Sequence, residues 1–203
     1  MNCEDRSGFA NLLWQRALET KRIARQAAAM AKSHPPSNRQ ALIARLSGYW
    51  KMEAGNVVFV PGIMLFLAGG KIGILSIIAM APMMALLAIG AIYWRAKLHH
   101  IEHGASPDQT IERIAALDRP MLVASALAIA CAIVAWTIEG LALGLADRWV
   151  ATASATLAAL EYVNYYHRQL QHFDHLSDWK RLISGGGFRK SQLRQDIERL
   201  RGD

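Results

Sequence analysis

Apolar residues are concentrated in long uncharged runs, and the charged residues lie between those runs. Three runs contain 17, 23 and 19 residues without a charge, at 54–70, 72–94 and 120–138. A helix needs about 20 consecutive apolar residues to cross the hydrocarbon core of a bilayer. This segregation predicts an integral membrane protein and excludes a soluble fold, although the whole chain is only 53% hydrophobic.

A fourth span is predicted on a weaker run. Residues 149–160 are twelve uncharged positions rich in Ala, Ser and Thr, so this helix must continue through Glu161 to about His167 to cross. The turn at 69–71 and the connection at 139–148 are short, which places consecutive spans side by side. The expected fold class is therefore all-α: a polytopic membrane protein with four transmembrane helices arranged as two helical hairpins.

Amphipathic helices are expected in the polar segments outside the spans. Residues 8–33 have apolar positions at helical spacing beside a basic face, and a second helix begins at Ser37, after two prolines. In the connector, Ser106 and Pro107 are residue types that favour a helix start. Apolar stripes at helical spacing follow in the connector (Ile111, Ile114, Leu117) and in the C-terminal tail (Leu193, Ile197, Leu200).

The positive charges are confined to alternate segments of the chain. Twenty-one of the 23 Lys and Arg residues lie before the first span, between the second and third, or after the fourth, and only Lys71 and Arg148 lie in the short connections. Because Lys and Arg are retained in the cytoplasm during insertion, both termini are predicted to be cytoplasmic, in a multi-pass protein of the cell inner (plasma) membrane. The predicted segments are cytoplasmic amphipathic helices at 1–53, a transmembrane hairpin at 54–94, a cytoplasmic connector helix at 95–119, a second hairpin at 120–167 and a cytoplasmic tail at 168–203.

The net charge of +7 follows from the same distribution. Cationic segments beside the cytoplasmic leaflet attract anionic lipid headgroups, so a nucleic-acid partner is not needed to explain the basic composition. The expected partners are the lipid bilayer with its anionic headgroups and a membrane protein or a second copy of this chain. The two cysteines, Cys3 and Cys131, lie in a polar segment and in an apolar run, and we interpret both as free thiols.

Small residues repeat every four positions in the third and fourth spans. Such faces allow helices to approach closely in a membrane, so they predict direct packing of these two spans. The repeats are Ala124, Ala128 and Ala132 in the third span and Ala151, Ala155 and Ala159 in the fourth.

A polar cluster at the end of the fourth span is the first candidate site. Glu161, Asn164, Tyr165 and Arg168 fall on one face of a helix, and Glu161 lies in the inner half of the bilayer. A carboxylate at that depth costs free energy unless it is paired, protonated or in contact with water. The cluster either specifies packing through hydrogen bonds, the interpretation we favour, or forms a proton, ion or metal site.

Histidines form the second candidate site. Spacings of three or four residues on a helix bring imidazoles within reach of one metal ion, and both clusters follow a span that ends on the same predicted surface. The candidate ligands are His99, His100 and His103 after the second span and His167, His172 and His175 after the fourth, with Glu161 as an additional oxygen ligand.

The histidine clusters, together with the four predicted spans, resemble the arrangement in the membrane desaturases and hydroxylases. The resemblance covers about a tenth of the chain and implies an iron site at the cytoplasmic ends of paired spans. The first cluster here reads His-His-Ile-Glu-His and the second has no paired histidines, whereas that family has more histidines in HxxxH and HxxHH boxes. A zinc site is an alternative, and a b-type haem between His99 or His100 and His167 is another. We favour the interpretation that these histidines are interfacial residues and that there is no cofactor.

The leading functional hypothesis is a non-enzymatic scaffold or accessory protein that acts at the cytoplasmic leaflet. It rests on abundant amphipathic surface on that side and on the lack of a complete catalytic constellation in the sequence. The alternative is a metal-dependent membrane enzyme that acts on a lipid through the histidines. A third hypothesis is a small proton-coupled transporter that uses Glu161.

Overall fold

The computed structural model describes residues 15–16, 18–22, 38–170 and 188–202. The all-α prediction is confirmed within these ranges, where the only β pairing is one isolated bridge between Arg168 and Lys190. The helices are α1 (Asn38–Leu67), α2 (Ile74–His103), α3 (Asp108–Ala116), α4 (Asp118–Thr137), α5 (Leu145–Tyr166) and α6 (Gln192–Arg201).

Most of the predicted N-terminal helix at 8–33 lies outside the described residues, although 15–16 and 18–22 are helical. The chain forms two compact units, residues 1–42 and 43–203, and the second contains the helical bundle.

Among the helices of the described residues, three are long and apolar enough to cross a membrane: α1, α2 and α4. At about 1.5 Å per residue, α5 is about 33 Å long, which equals the thickness of a bilayer core. However, α5 includes Asp147, Arg148 and Glu161 and is not apolar enough to be counted with the other three. The structure therefore supports a membrane protein and supports three of the four predicted spans by length and composition.

The centre of the bundle is formed by α2, α4 and α5, which pack directly on one another. Small side chains make this possible: Ala128 and Ala132 of α4 and Ala155 of α5 are buried together with Ala79 of α2. The predicted close packing of the small-residue faces on α4 and α5 is thus confirmed. Cys131 is a buried free thiol in the same cluster.

Helix α1 lies at the edge of this bundle and contacts it through one face. It is continuous over 30 residues, with no break between the predicted second amphipathic helix and the first span. Leu46, Glu53 and Met64 are buried, and Val57 and Val60 pack against the same core. These positions recur at intervals of 7, 4, 3 and 4, which is the spacing of one helical face.

One end of the bundle carries a folded cap, which we define as α3 and α6. Each cap helix is amphipathic and buries its apolar stripe against the ends of α2 and α5, and the buried residues are Ile111, Ile114, Leu193 and Ile197. The Asp196 carboxylate of α6 accepts hydrogen bonds from Tyr93 (2.7 Å) and Lys97 (2.9 Å) of α2. The exposed Glu198 accepts hydrogen bonds from Lys190 and Arg194, which lower the pKa of its carboxyl below the ordinary value.

The predicted stripe on the connector was wrong at one position. Leu117 is 39% exposed, because α3 ends at Ala116 and Leu117 caps it instead of continuing its buried face. The predicted helix start is wrong by one residue: Pro107, and not Ser106, occupies the N-cap of α3, although the Ser106 hydroxyl accepts a hydrogen bond from the Asp108 N–H (3.3 Å).

At the opposite end, which we call the turn end, the two short connections are tied together by Asp147. Its carboxylate accepts hydrogen bonds from the Gly73 N–H (2.9 Å), the Ser76 hydroxyl (2.5 Å) and the Leu143 N–H (2.9 Å). A Cβ atom at Gly73 would lie 2.7 Å from Asp147 Oδ2, so this contact requires glycine. The predicted connection at 139–148 is shorter in the structure, because Asp147 belongs to the first turn of α5.

Candidate site: a buried carboxyl–tyrosine network near the cap

The centre of the network is the side chain of Tyr165 on α5. Its hydroxyl donates a 2.7 Å hydrogen bond to Oε1 of Glu53 on α1. Both side chains are buried, with Glu53 only 2% exposed. A carboxyl group buried among apolar helices is stable only when it is hydrogen-bonded, protonated or paired. The Tyr165 hydroxyl supplies such a hydrogen bond and thereby connects α1 to α5.

Gly90 of α2 makes room for the Tyr165 ring. A Cβ atom at Gly90 would lie 1.9 Å from the Tyr165 hydroxyl oxygen and 2.3 Å from Cζ, far inside van der Waals contact. Any side chain at position 90 would therefore displace the ring. Tyr165 thus brings together residues of three helices: Glu53 of α1, Gly90 of α2 and its own helix α5.

A second carboxyl group, Glu161, belongs to the same network. Glu161 is 6% exposed and lies one turn before Tyr165 on α5, within electrostatic range of the Tyr165 hydroxyl. Its Oε2 accepts a 3.3 Å hydrogen bond from the Asn164 amide. The Asn164 Oδ1 in turn accepts a 2.8 Å hydrogen bond from the Leu170 N–H, beyond the end of the helix. Two carboxyl groups therefore lie near one phenol.

Arg168 is positioned differently from the prediction. Because α5 ends at Tyr166, Arg168 does not continue the helical face of Glu161 and Tyr165. It is extended, pairs with Lys190 through a β-bridge and donates a 2.9 Å hydrogen bond to the Phe188 carbonyl. The helix ends there because the chain pairs with the segment that leads into α6.

A small cavity of about 20 Å³ adjoins Glu53 and Tyr165 on the side of the cap. Its other lining residues with polar side-chain atoms are Tyr93, Trp94, Asn164, Gln169, Ser191 and Gln192. The Ser191 hydroxyl donates to the Tyr165 backbone carbonyl and caps α6 by accepting from the Arg194 N–H. A cavity of this size holds about one water molecule, and its polar groups can hydrogen-bond to one. Water can therefore approach Glu53 from the cap.

The histidines after the second span lie at the exposed end of α2. The rings of His99 and His103 stack at 4.5 Å, and His100 Nδ1 lies 2.8 Å from the Ala105 carbonyl. His167 lies at the end of α5, where its Nε2 is 3.3 Å from the Tyr162 hydroxyl. No group of three or more His, Cys, Asp or Glu side chains converges on a metal-sized site in the part of the chain that the structure describes. The other two candidates, His172 and His175, lie outside the described residues.

The residue that sequence reasoning missed is Glu53. It was grouped with the basic segment because it precedes the uncharged run at 54–70 by one position. Helical spacing in the sequence could have identified Glu53 as a buried residue. It lies seven residues after Leu46 and four before Val57, in the middle of an otherwise apolar face. A charged residue on an apolar face indicates a buried partner.

Comparison of the chain with protein-family models, with curated proteins and with solved structures finds no match. Function is therefore inferred from the geometry of the molecule.

Proposed function

We propose that α1, α2, α4 and α5 all cross the inner membrane, with the cap in the cytoplasm. Contacts at both ends of α4 and α5 support this arrangement. At the cap, the Tyr162 hydroxyl of α5 donates to Asp118 at the start of α4 (2.8 Å), and near the turn end Trp136 of α4 donates to Thr152 of α5 (2.9 Å). The two helices thus run side by side over the same depth. If α4 crosses the bilayer, α5 crosses it too.

Charge supports the direction of insertion. The connections at the turn end carry only Lys71 and Arg148, whereas the sequence before the first span, the connector between the second and third spans and the C-terminal tail carry the other twenty-one Lys and Arg residues. Cations are retained on the cytoplasmic side, so the cap lies in the cytoplasm and the turn end lies outside.

Within this membrane the protein acts as a non-enzymatic scaffold or accessory protein that holds the transmembrane helix of a partner on α1. The observation that carries this proposal is a row of three exposed glycines, Gly48, Gly55 and Gly62. They recur every seven residues and lie directly opposite the face that Glu53 and Met64 bury. A Cβ atom at any of the three would meet no heavy atom of the described residues within 4 Å, so no described part of the chain covers this face.

Apolar exposure alone would not indicate a partner, because lipid tails solvate apolar side chains as well as another helix does. Glycine is different, since it allows two helix backbones to approach closely and gain van der Waals contacts. The small-residue faces of α4 and α5 are used in packing within the bundle, whereas the glycine face of α1 has no such contact with the part of the chain that the structure describes. Phe59 and Phe66, 63% and 82% exposed, lie on this face too and can enclose a partner helix.

Cysteine cross-linking in native membranes tests this proposal. The variant Gly55→Cys is made in a background with Cys3→Ala and Cys131→Ala, labelled with a maleimide that carries a benzophenone group, and irradiated so that the benzophenone inserts into a C–H bond of any adjacent helix. We expect one defined cross-linked species, either to another membrane protein or to a second copy, which mass spectrometry distinguishes. Adding Gly62→Leu should abolish it, since the larger side chain prevents close approach.

The matched control is Ala130→Cys in the same background. Ala130 is an exposed small residue of α4 that faces away from the bundle. If Gly55→Cys gives no more cross-linking than Ala130→Cys, α1 has no specific partner and the scaffold proposal is wrong.

A second candidate function is favoured by the carboxyl–tyrosine network. Glu53 and Glu161 lie near one phenol, beside a cavity that can hold a water molecule, and this is an arrangement through which a proton can be exchanged with the cytoplasm. The proton-coupled transporter predicted around Glu161 would therefore use Glu53 as well.

Infrared spectroscopy of the purified protein tests proton exchange directly. The difference spectrum between acidic and alkaline samples should contain a band of a buried protonated carboxyl group. Glu53→Gln should remove or shift this band while keeping the hydrogen bond from Tyr165, because the amide oxygen also accepts. Glu139→Gln, at an exposed position of the turn end, is the control and should leave the band unchanged. A pH-dependent carboxyl band that neither Glu53→Gln nor Glu161→Gln alters, or no such band at all, would rule out this function.

A further inference from the structure

We propose that a groove between the end of α2 and the start of α3 binds one anionic phospholipid of the cytoplasmic leaflet, with its phosphate held by Arg95 and His99. The groove has a volume of about 350 Å³, within the range of ligand-binding pockets. It is distinct from the carboxyl–tyrosine network and from the glycine face of α1. The inference rests on the proposed spans but not on the scaffold role.

The groove is formed by a reversal of the chain after α2. Gly104 adopts a left-handed conformation (φ 73°), and its N–H donates to the His100 carbonyl (2.8 Å). The 2.8 Å contact between His100 Nδ1 and the Ala105 carbonyl holds the reversed segment against the helix end. Residues 105–110 therefore run back alongside α2 and form the second wall of the groove.

The α2 wall changes from apolar to cationic along the helix axis. Ile92, Arg95, Ala96 and His99 have the spacing of a single helical face, and all four line the groove. At about 1.5 Å per residue, Arg95 lies about 4.5 Å further toward the cap than Ile92, and His99 lies about 6 Å beyond Arg95. Ile92 is 53% exposed and faces the proposed hydrocarbon region. This order matches a phospholipid, whose acyl chains lie deeper in the bilayer than its phosphate.

Arg95 has the chemistry and the freedom to hold a phosphate. Its guanidinium lies 5.6 Å from the ring centroid of Trp50, which orients the side chain but leaves its N–H groups available. The neighbouring cation Lys97 is already engaged by Asp196. Arginine binds phosphate through two parallel hydrogen bonds, and the hydroxyl of Thr110, which also lines the groove, can add a third.

His99 contributes a second nitrogen donor about one helical turn beyond Arg95 toward the cap. Its ring stacks on His103 at 4.5 Å, which fixes the plane of the imidazole. None of the groove's described lining residues is a carboxylate, so nothing in its wall opposes an anion. Ala96 of the α2 wall and Pro107 of the second wall are uncharged lining residues.

Native mass spectrometry in detergent micelles tests the site. The dissociation constants of phosphatidylglycerol and phosphatidylcholine are compared for the wild-type chain and three variants. We expect one phosphatidylglycerol to bind more tightly than phosphatidylcholine. Arg95→Gln should weaken phosphatidylglycerol binding by about fivefold or more, the factor expected for one cation beside an anionic lipid. Ala96→Phe should weaken it comparably, because the ring fills the groove without changing the charge.

The matched control is Arg119→Gln, which removes an exposed arginine at the start of α4, outside the groove. It should leave phosphatidylglycerol binding near the wild-type value. An equal loss of phosphatidylglycerol affinity with Arg119→Gln would mean that lipid binding depends on the total charge of the protein and not on this groove. That result would refute the site. Binding of inorganic phosphate as tight as that of phosphatidylglycerol would also refute it, since the apolar end of the groove would then contribute nothing. A cross-linking failure at Gly55 would leave these lipid measurements unaffected.

Discussion

At the scale of single residues, Tyr165 determines how three helices fit together. Its ring occupies the space that a side chain at position 90 would need, and its hydroxyl satisfies the buried Glu53 carboxyl group. The sequence marked Glu161 and Tyr165 as unusual, because polar groups are costly at that depth. It could not show that Glu53 would meet them, since that depends on the rotation of α1 about its own axis.

Gly90→Ala is predicted to destabilise the protein. The added methyl group would overlap the Tyr165 hydroxyl oxygen, and overpacking of this kind typically costs about 1–3 kcal/mol. Alanine regains up to about 1 kcal/mol through its higher helix propensity, and because the 1.9 Å contact is severe we take the upper end of the overpacking cost, so a net loss of about 2–3 kcal/mol is expected. The measurement is the free energy of unfolding of the purified protein in detergent.

The control for this prediction is Gly62→Ala on the open face of α1. No heavy atom lies within 4 Å of its added Cβ, so this variant should be neutral or up to about 1 kcal/mol more stable. Equal effects of Gly90→Ala and Gly62→Ala would contradict the tight packing of Tyr165 on Gly90.

At the scale of helices, uncharged runs predict where spans exist better than where helices end. Residues 74–94 of the uncharged run at 72–94 lie in α2, which continues to His103, because a helix can include charged residues wherever its surroundings are not hydrocarbon. Likewise, α1 begins well before its uncharged run and is unbroken. The start of α5 was misplaced because Asp147 appeared to belong to a polar loop, whereas its carboxylate is satisfied by three donors at the turn end.

At the same scale, periodicity predicted the faces that the cap buries. Ile111, Ile114, Leu193 and Ile197 are buried as the apolar stripes require. What the stripes could not indicate is their common partner, because an amphipathic helix is equally suited to a lipid surface and to a protein surface. In the structure, the cap helices bury these residues against the bundle and against each other.

At the scale of the whole molecule, the proposal is an asymmetric membrane protein. Within the described part of the second unit, the cap lies at one end of the bundle, and the turn end consists of two short connections held by Asp147. The proposed partner helix would bind α1 from within the bilayer. The proton would exchange with the cytoplasm, and the phospholipid would bind from the cytoplasmic leaflet. Each of these functions depends on the arrangement in which four helices cross the membrane and the cap lies in the cytoplasm.

The most direct test of that arrangement is cysteine accessibility in right-side-out membrane vesicles. Single cysteines are placed at Leu141 of the turn end, Gln109 of α3 and Arg201 of α6, all of which are exposed, in a background with Cys3→Ala and Cys131→Ala. A membrane-impermeant maleimide should label Leu141→Cys in sealed vesicles, and should label Gln109→Cys and Arg201→Cys only after permeabilisation. Labelling of Arg201→Cys but not Gln109→Cys in sealed vesicles would show that α5 does not cross, and labelling of both without Leu141→Cys would show that the cap lies outside.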